Sequence, residues 1–196
     1  MLYSELQCSE AIHKAVERMG FAEMTEIQEK TIPLMLAGHD VIAKAPTGTG
    51  KTCAFGIPVA EHIDAALKAP QAVIMAPTRE LAQQIAEELT ALTYFMPEVE
   101  VACVYGGANM EKQAKRLAEG CQIVVATPGR LMDHYKHHNI DLSHVTQIVL
   151  DEADEMLNMG FYKDVRHIIE MMKNRKSLSM FSATISREVM DIGWLY

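Results

Sequence analysis

Val41-Ile42-Ala43-Lys44-Ala45-Pro46-Thr47-Gly48-Thr49-Gly50-Lys51-Thr52 is the stretch that decides the fold. Its apolar start reads as a strand over 41–45, and the residues from 51 onward read as a helix reaching about 67. The small residues between them let backbone N–H groups approach phosphate oxygens. In such a loop Lys51 supplies a point charge for β- and γ-phosphates, and the Thr52 hydroxyl can ligate Mg²⁺. Ala45 stands where the usual pattern has glycine. The strand before and the helix after are the context this chemistry requires.

A second string, Asp151-Glu152-Ala153-Asp154, follows the apolar run Ile148-Val149-Leu150. Here Asp151 is suited to hold a metal and Glu152 to activate water. An acidic cluster is more often a solvated loop or helix start. The pairing with the phosphate loop turns the balance, and together the strings predict ATP binding and hydrolysis.

The 196 residues fit one sizeable domain. Nearly half are apolar, but no run has membrane-spanning length, which predicts a soluble protein with no membrane partner. The start Met1-Leu2-Tyr3-Ser4-Glu5 lacks the pattern of a secretion signal. Cys8, Cys53, Cys103 and Cys121 are scattered and read as reduced, so a cytoplasmic location is expected. A net charge of −8 argues against a strongly basic nucleic-acid binder and leaves room only for a small local site. His134, His137 and His138 lack a complementary ligand set and read as a solvated helix end rather than a metal site. Met156, Met159, Met171 and Met172 read as core-filling residues.

Short apolar runs at 41–45, 72–76, 99–105, 123–126, 147–150 and 178–181 alternate with longer amphipathic stretches. Helices are expected at 11–19, 27–36, 51–67, 79–94, 110–119, 131–137 and 162–172, with Pro58 kinking or restarting the third. The alternation predicts an α/β domain, a mostly parallel sheet flanked by helices on both faces. Five of the runs end in polar or turn-forming clusters: the phosphate loop, Pro77-Thr78-Arg79, Thr127-Pro128-Gly129-Arg130, Asp151-Glu152 and Ser182-Ala183-Thr184. In a parallel sheet these gather at one edge, beyond the strands' carboxyl ends, where ligands bind.

The order of these strings, with Gly20-Phe21, Thr25-Glu26-Ile27-Gln28, Glu80-Leu81-Ala82 and Gly106-Gly107 added, resembles the first RecA-like domain of DEAD-box RNA helicases, closest to bacterial members. The resemblance covers nearly the whole chain. It implies one RecA-like P-loop domain over 1–196, an adenine-recognising region over about 1–29, and a second RecA-like domain that this chain lacks. It makes Lys51, Asp151 and Glu152 catalytic. ATP would be held by Tyr3, Phe21, Thr25, Gln28, Ala45, Pro46, Thr47, Gly48, Thr49, Gly50, Lys51 and Thr52, and Mg²⁺ by Thr52 and Asp151, directly or through water. Gln28 would read the adenine edge, since a carboxamide both donates and accepts. Tyr3, where the family usually has Phe, would stack on the base, its hydroxyl needing water or a partner. Met24, Glu26 and Ile185 stand where many relatives have proline.

By the same resemblance RNA would meet Pro77, Thr78, Arg79, Gly107, Thr127, Pro128, Gly129 and Arg130, while Asp154, Ser182 and Thr184 couple the two ligands. Two guanidiniums, two hydroxyls and glycine N–H groups suit phosphates, and none of these residues is a stacking platform. Binding should therefore follow the RNA backbone and ignore its sequence. Arg79 and Arg130 have a structural alternative, pairing with Glu80 or other acids. The expected function is ATP hydrolysis coupled to local unwinding of RNA duplexes. A DNA-directed P-loop ATPase and an isolated, non-catalytic nucleotide- and RNA-binding module remain the alternatives. In the family the second domain supplies the arginine that reaches the transferring phosphate, so little activity is expected of this chain alone.

Overall fold

The computed structural model describes residues 1–45 and 50–196. The middle of the phosphate loop, Pro46, Thr47, Gly48 and Thr49, lies outside the described residues. Strands β1 (Ile42–Lys44), β2 (Ala72–Met75), β3 (Val101–Val104), β4 (Ile123–Ala126), β5 (Gln147–Asp151) and β6 (Ser177–Ser182) form one sheet in the order β1-β6-β5-β2-β4-β3. Every pairing is parallel, so the expected mostly parallel sheet is wholly so among the described residues.

Side chains alternate across a strand, and the apolar strands divide them between two cores. Ala72, Ile74, Ile123, Val125, Val149 and Phe181 pack on one face, beneath α1 (Glu10–Arg18), α2 (Glu26–Leu36), α3 (Lys51–Glu61) and α4 (Arg79–Leu92). Val73, Met75, Val124, Ile148, Leu150 and Met180 pack on the other. That face is covered by α5 (Met110–Glu119), α6 (Pro128–Lys136), α7 (Ala153–Asn158), α8 (Tyr162–Met171) and α9 (Arg187–Leu195).

Several boundaries differ from the sequence reading. Helix α3 passes through Pro58 without a restart and stops at Glu61, about a turn beyond. Pro58 lacks the N–H that would bond Ala54, but its own carbonyl still accepts from His62 at the helix end. Helix α6 begins at Pro128, whose fixed φ suits a first helical position, so Thr127-Pro128-Gly129 is a helix start rather than a turn. Helices α7 and α9 were not expected; α9 starts behind Ser186, whose hydroxyl accepts from Val189 N at 3.2 Å.

Two side-chain readings are corrected. His134 is fully buried rather than part of a solvated helix end, because it lies on the inward face of α6. His137 and His138 are exposed as expected. Met159 is exposed, beyond the end of α7, while Met156 and Met172 are core. The four cysteines are free thiols. Among the described residues no helix is long and apolar enough to cross a membrane.

Candidate nucleotide and nucleic-acid site

Because all strands run the same way, their carboxyl ends share one edge, and the strand order sorts the motifs along it. The phosphate loop follows β1, Ser182 ends β6 and Asp151 ends β5, so the triphosphate machinery occupies one half. Pro77 follows β2, Thr127 follows β4 and Gly106-Gly107 follow β3, which places the expected RNA set on the other half.

At the nucleotide half, Lys51 opens α3 and is almost fully buried. Its Nζ lies 3.1 Å from Asp151 Oδ1 and 3.6 Å from Glu152 Oε2. Glu152 adopts a left-handed backbone, φ 49°, unusual for a residue with a side chain. Its N–H donates to Asp151 Oδ1 at 2.9 Å, which helps hold that bend. A backbone of this kind stores roughly 1–3 kcal/mol of strain, and here it accompanies the turn of Glu152 toward Lys51.

Burial pushes the Asp151 carboxyl above the usual range, with Glu152 adding to the rise, although Lys51 opposes it. Among the described residues Asp151 Oδ2 is the buried side-chain oxygen without a hydrogen-bond partner. An orphaned carboxylate oxygen and a threonine hydroxyl at the helix start are hard oxygen donors of the kind Mg²⁺ takes. No cluster of three or more His, Cys, Asp or Glu suited to a metal exists among the described residues.

Beside Lys51 opens a cavity of about 400 Å³ reaching Tyr3, Phe21, Gln28 and Gly50. Gln28 belongs to a capping box: Thr25 Oγ1 accepts from Gln28 N at 3.4 Å and Thr25 N donates to Gln28 Oε1 at 3.0 Å. The same carboxamide donates from Nε2 to Gly50 O at 2.9 Å, which ties the residue expected to read adenine to the end of the phosphate loop. The Tyr3 hydroxyl finds the partner it needed by donating to Gln28 Oε1. Tyr3 is nearly buried and stacks on the half-exposed Phe21, centroids 6.2 Å apart.

Gly50 has φ 74°, and a Cβ there would lie 2.7 Å from Gln28 Nε2. Gly50→Ala should therefore cost roughly 1–3 kcal/mol of stability, from left-handed strain and displacement of Gln28. Urea denaturation checks it; an unchanged midpoint would show that the glycine's conformation is not required.

Asp154, Ser182 and Thr184, the residues expected to couple the two ligands, form one hydrogen-bonded unit. Asp154 Oδ2 accepts from Thr184 Oγ1 at 2.9 Å and Thr184 N at 3.2 Å, and Asp154 N donates to Ser182 Oγ at 3.1 Å. Burial raises the Asp154 carboxyl, but the bonds from Thr184 and Ser182 outweigh it and hold it below the usual range. Ser182 O also accepts from Ala45 N at 2.8 Å. The last strand thus touches both the acidic string and the root of the phosphate loop.

At the other half, Thr78, Arg79 and Gly107 are exposed, Thr127, Gly129 and Arg130 are half-buried, and Pro77 and Pro128 are buried. Thr78 caps α4, accepting from Leu81 N at 3.2 Å. The Arg79 guanidinium lies over the Tyr105 ring, 4.9 Å from its centroid, and a Cβ on Gly107 would sit 4.0 Å from its Nη1. Arg130 Nη1 donates to Ala108 O at 3.0 Å and to Gln113 Oε1 at 3.1 Å, and Gln113 Nε2 donates to Tyr105 O at 3.0 Å. Tyr105 and Gln113 therefore join the two arginines, a role the sequence reading missed.

It also missed Glu88. This residue lines the nucleotide cavity with Leu81 and Gln84, an i, i+3, i+7 stripe that the pattern of α4 already contained. Burial raises the Glu88 carboxyl and the Asp151 charge adds to the rise, while the Thr52 hydroxyl opposes it.

Residues 25–192 match the family described as DEAD/DEAH box helicase. The chain belongs to the DEAD/DEAH box helicase family. It is 49% identical over 193 residues to the ATP-dependent RNA helicase CshA of Limosilactobacillus reuteri, covering 98% of this chain and 39% of that protein. It is 50% identical over 191 residues to CshA of Listeria monocytogenes, covering 97% of this chain and 36% of that protein. Among solved structures, a DEAD box protein from Methanococcus jannaschii superposes with a TM-score of 0.92 at 40% identity, covering all of this chain and 53% of that one. A hypothetical ATP-dependent RNA helicase from Sulfolobus tokodaii gives 0.87 at 41% identity, covering 96% of this chain and 54% of that one. The chain thus spans about two-fifths of the length of these curated relatives. With the family in hand, the two halves of the edge take on distinct meaning. The Asp151–Asp154 string follows β5, in the middle of the sheet, separated from the phosphate-loop strand β1 by β6 and adjacent to β2.

Proposed function

We propose that this chain is the ATP- and RNA-binding lobe of an ATP-dependent RNA helicase, in which ATP hydrolysis drives local unwinding of RNA duplexes. The observation that carries the reading is the buried Lys51, beside Asp151 and Glu152 and lining a cavity together with Gln28 and Gly50. When bound, Mg²⁺ would neutralise charge on the phosphate oxygens, and Thr52 and Asp151 would hold it, directly or through water. Lys51 then leaves its carboxylate partners for the triphosphate. That frees Glu152 to accept a proton from the attacking water. Adenine enters beside Gln28 and the Tyr3–Phe21 pair. The Asp154–Thr184–Ser182 unit carries changes at the phosphate side to the rest of the edge.

Lys51→Ala should weaken ATP binding about ten-fold or more, since it removes a charge-assisted phosphate contact. The ion pairs with Asp151 and Glu152 are lost too, so melting is measured alongside. Calorimetry with Mg-ATP tests the role, and equal affinities in the two folded proteins would sink it.

RNA binding through Thr78, Arg79, Gly107, Thr127, Gly129 and Arg130 should be weak, salt-dependent and indifferent to sequence. Each phosphate contact on a single strand contributes about −0.7 to the slope of log K against log salt. Arg79 and Arg130 are the basic residues of this set and the net charge is −8, so a shallow slope is expected. A tight, salt-insensitive complex with one RNA sequence would contradict this picture. Comparison of RNA with DNA of the same sequence separates the helicase from a DNA-directed ATPase, the ribose 2′-OH being the discriminator.

A further inference from the structure

His134 is a buried titratable group that the proposed function leaves unused. It sits on α6 one turn after Arg130, and its two ring nitrogens face different elements: Nε2 lies 3.1 Å from Gln113 Oε1 on α5, and Nδ1 lies 3.1 Å from Asn139 Nδ2 after α6. Gln113 fixes the tautomer. Its Nε2 donates to Tyr105 O, so its Oε1 faces both Arg130 Nη1 and His134. An amide oxygen only accepts, so His134 Nε2 carries the hydrogen and Nδ1 accepts from Asn139. All of these groups are satisfied only while the ring is neutral.

We infer that neutral His134 is a positioning residue for RNA: it clamps Gln113, which in turn holds the Arg130 guanidinium and the Tyr105–Asn109 loop in the orientation that meets the RNA backbone. The inference rests on the reading of Arg130 as an RNA contact. The geometry explains how a half-buried arginine is oriented without a close carboxylate partner, since Asp133 Oδ2 lies 3.9 Å from its Nε. Among the described residues Arg130 Nη2 makes no hydrogen bond, which leaves donors for a phosphate oxygen.

Protonation breaks the arrangement, because an imidazolium would point Nδ1–H at the Asn139 amino group. Burial holds the His134 ring below the ordinary histidine value; Arg130 adds to this, Asp133 opposes it and His137 adds a small effect. Among the described residues those three are the charged or titratable groups acting on it, and α5 faces it with the neutral Gln113. A depressed base keeps its full contribution above the ordinary value of about 6.5 and loses it as pH falls toward its folded value. The Asn139 contact that seats the ring is therefore intact at neutral pH and is lost on acidification, which loosens the ring although Nε2–H can still donate to Gln113.

The test measures binding of a fluorescein-labelled oligouridylate to the chain and to H134L, H134Q, R130A and H134L/R130A, with Mg-ATP affinity and melting as checks of folding. R130A and H134L should each lose roughly ten-fold in RNA affinity, the scale of one charge-assisted contact, with a salt slope shallower by about 0.7. The double variant should lose no more than R130A. H134Q offers both a donor for Gln113 and an acceptor for Asn139, so it should bind like the parent near neutral pH. It should also lack the parent's extra fall in affinity between about pH 7.5 and about pH 5, a range that brackets the imidazole. RNA affinity of folded H134L equal to the parent's overturns the inference, as does an undiminished H134L effect in the R130A background. If H134L does not fold, coincident pH profiles of the parent and H134Q overturn it. R130A binding RNA like the parent removes Arg130 from the RNA surface itself, a failure of the underlying reading that the other arms distinguish.

Discussion

Joined to the C-terminal remainder of a CshA relative, the chain is expected to hydrolyse ATP in the presence of RNA roughly 10³–10⁵ times faster than it does alone. The range is what an arginine reaching the transferring phosphoryl group contributes in P-loop enzymes. The cavity lining includes Lys51 but no arginine. Other arginines are engaged elsewhere: Arg18 lies over Tyr94, Arg79 over Tyr105, and Arg116 pairs with Glu100. The carboxyl edge is also open, with Thr78, Arg79, Gly106 and Gly107 exposed. A second lobe closing over that edge would exclude water from the phosphates and complete the RNA surface, which strengthens every charge interaction inside. Steady-state phosphate release from both proteins, with and without RNA, measures the difference. Robust RNA-stimulated turnover by the chain alone would show that the second lobe is dispensable.

The sheet was legible in the sequence because its interior strands are covered on both faces. A strand such as Val73-Ile74-Met75 must then be apolar at every position, and such runs stand out from the amphipathic helices between them. The gathering of the motifs at one edge followed from parallel strands alone. What the sequence did not carry was strand order, and with it the separation of the expected nucleotide residues from the expected RNA residues along the edge. That order depends on which apolar faces pair across the sheet, and no local pattern encodes it. Buried polar groups were the other blind spot. His134 beside His137 and His138 looks like a basic helix end, because its partners Gln113 and Asn139 come from other elements. Helix α7 escaped notice because six residues hold too few turns to show a period. Glu88 was recoverable, since it continues the stripe from Leu81 and Gln84. Gln28 is the opposite case: its capping-box spacing from Thr25 is a local signal, and the structure adds only its bond to Gly50.

In the same two-lobed protein, Glu152→Gln is expected to lower turnover by about 10²–10⁴ while ATP and RNA still bind. The carboxamide has nearly the shape of the carboxylate and has lost its basicity. The prediction rests on where Glu152 stands. Its left-handed backbone follows directly on Asp151, and its carboxylate lies within 3.6 Å of Lys51 Nζ, where the phosphates are expected. Asp151 is the poorer base: it is fully buried, one oxygen is engaged by Lys51 and the Glu152 N–H, and the other is an orphan suited to a cation. Glu152 is only partly buried and so remains open to water. The exchange also removes a negative charge from Lys51, which gives an internal check: ATP affinity should hold or rise, because the lysine has one competitor fewer for the triphosphate. Single-turnover hydrolysis separates the two effects, reading the chemical step after binding is complete. A variant that binds ATP like the parent and turns over at the parental rate would move the general base away from Glu152, leaving Glu88, a carboxylate that lines the cavity beside Thr52, to be examined by the same exchange.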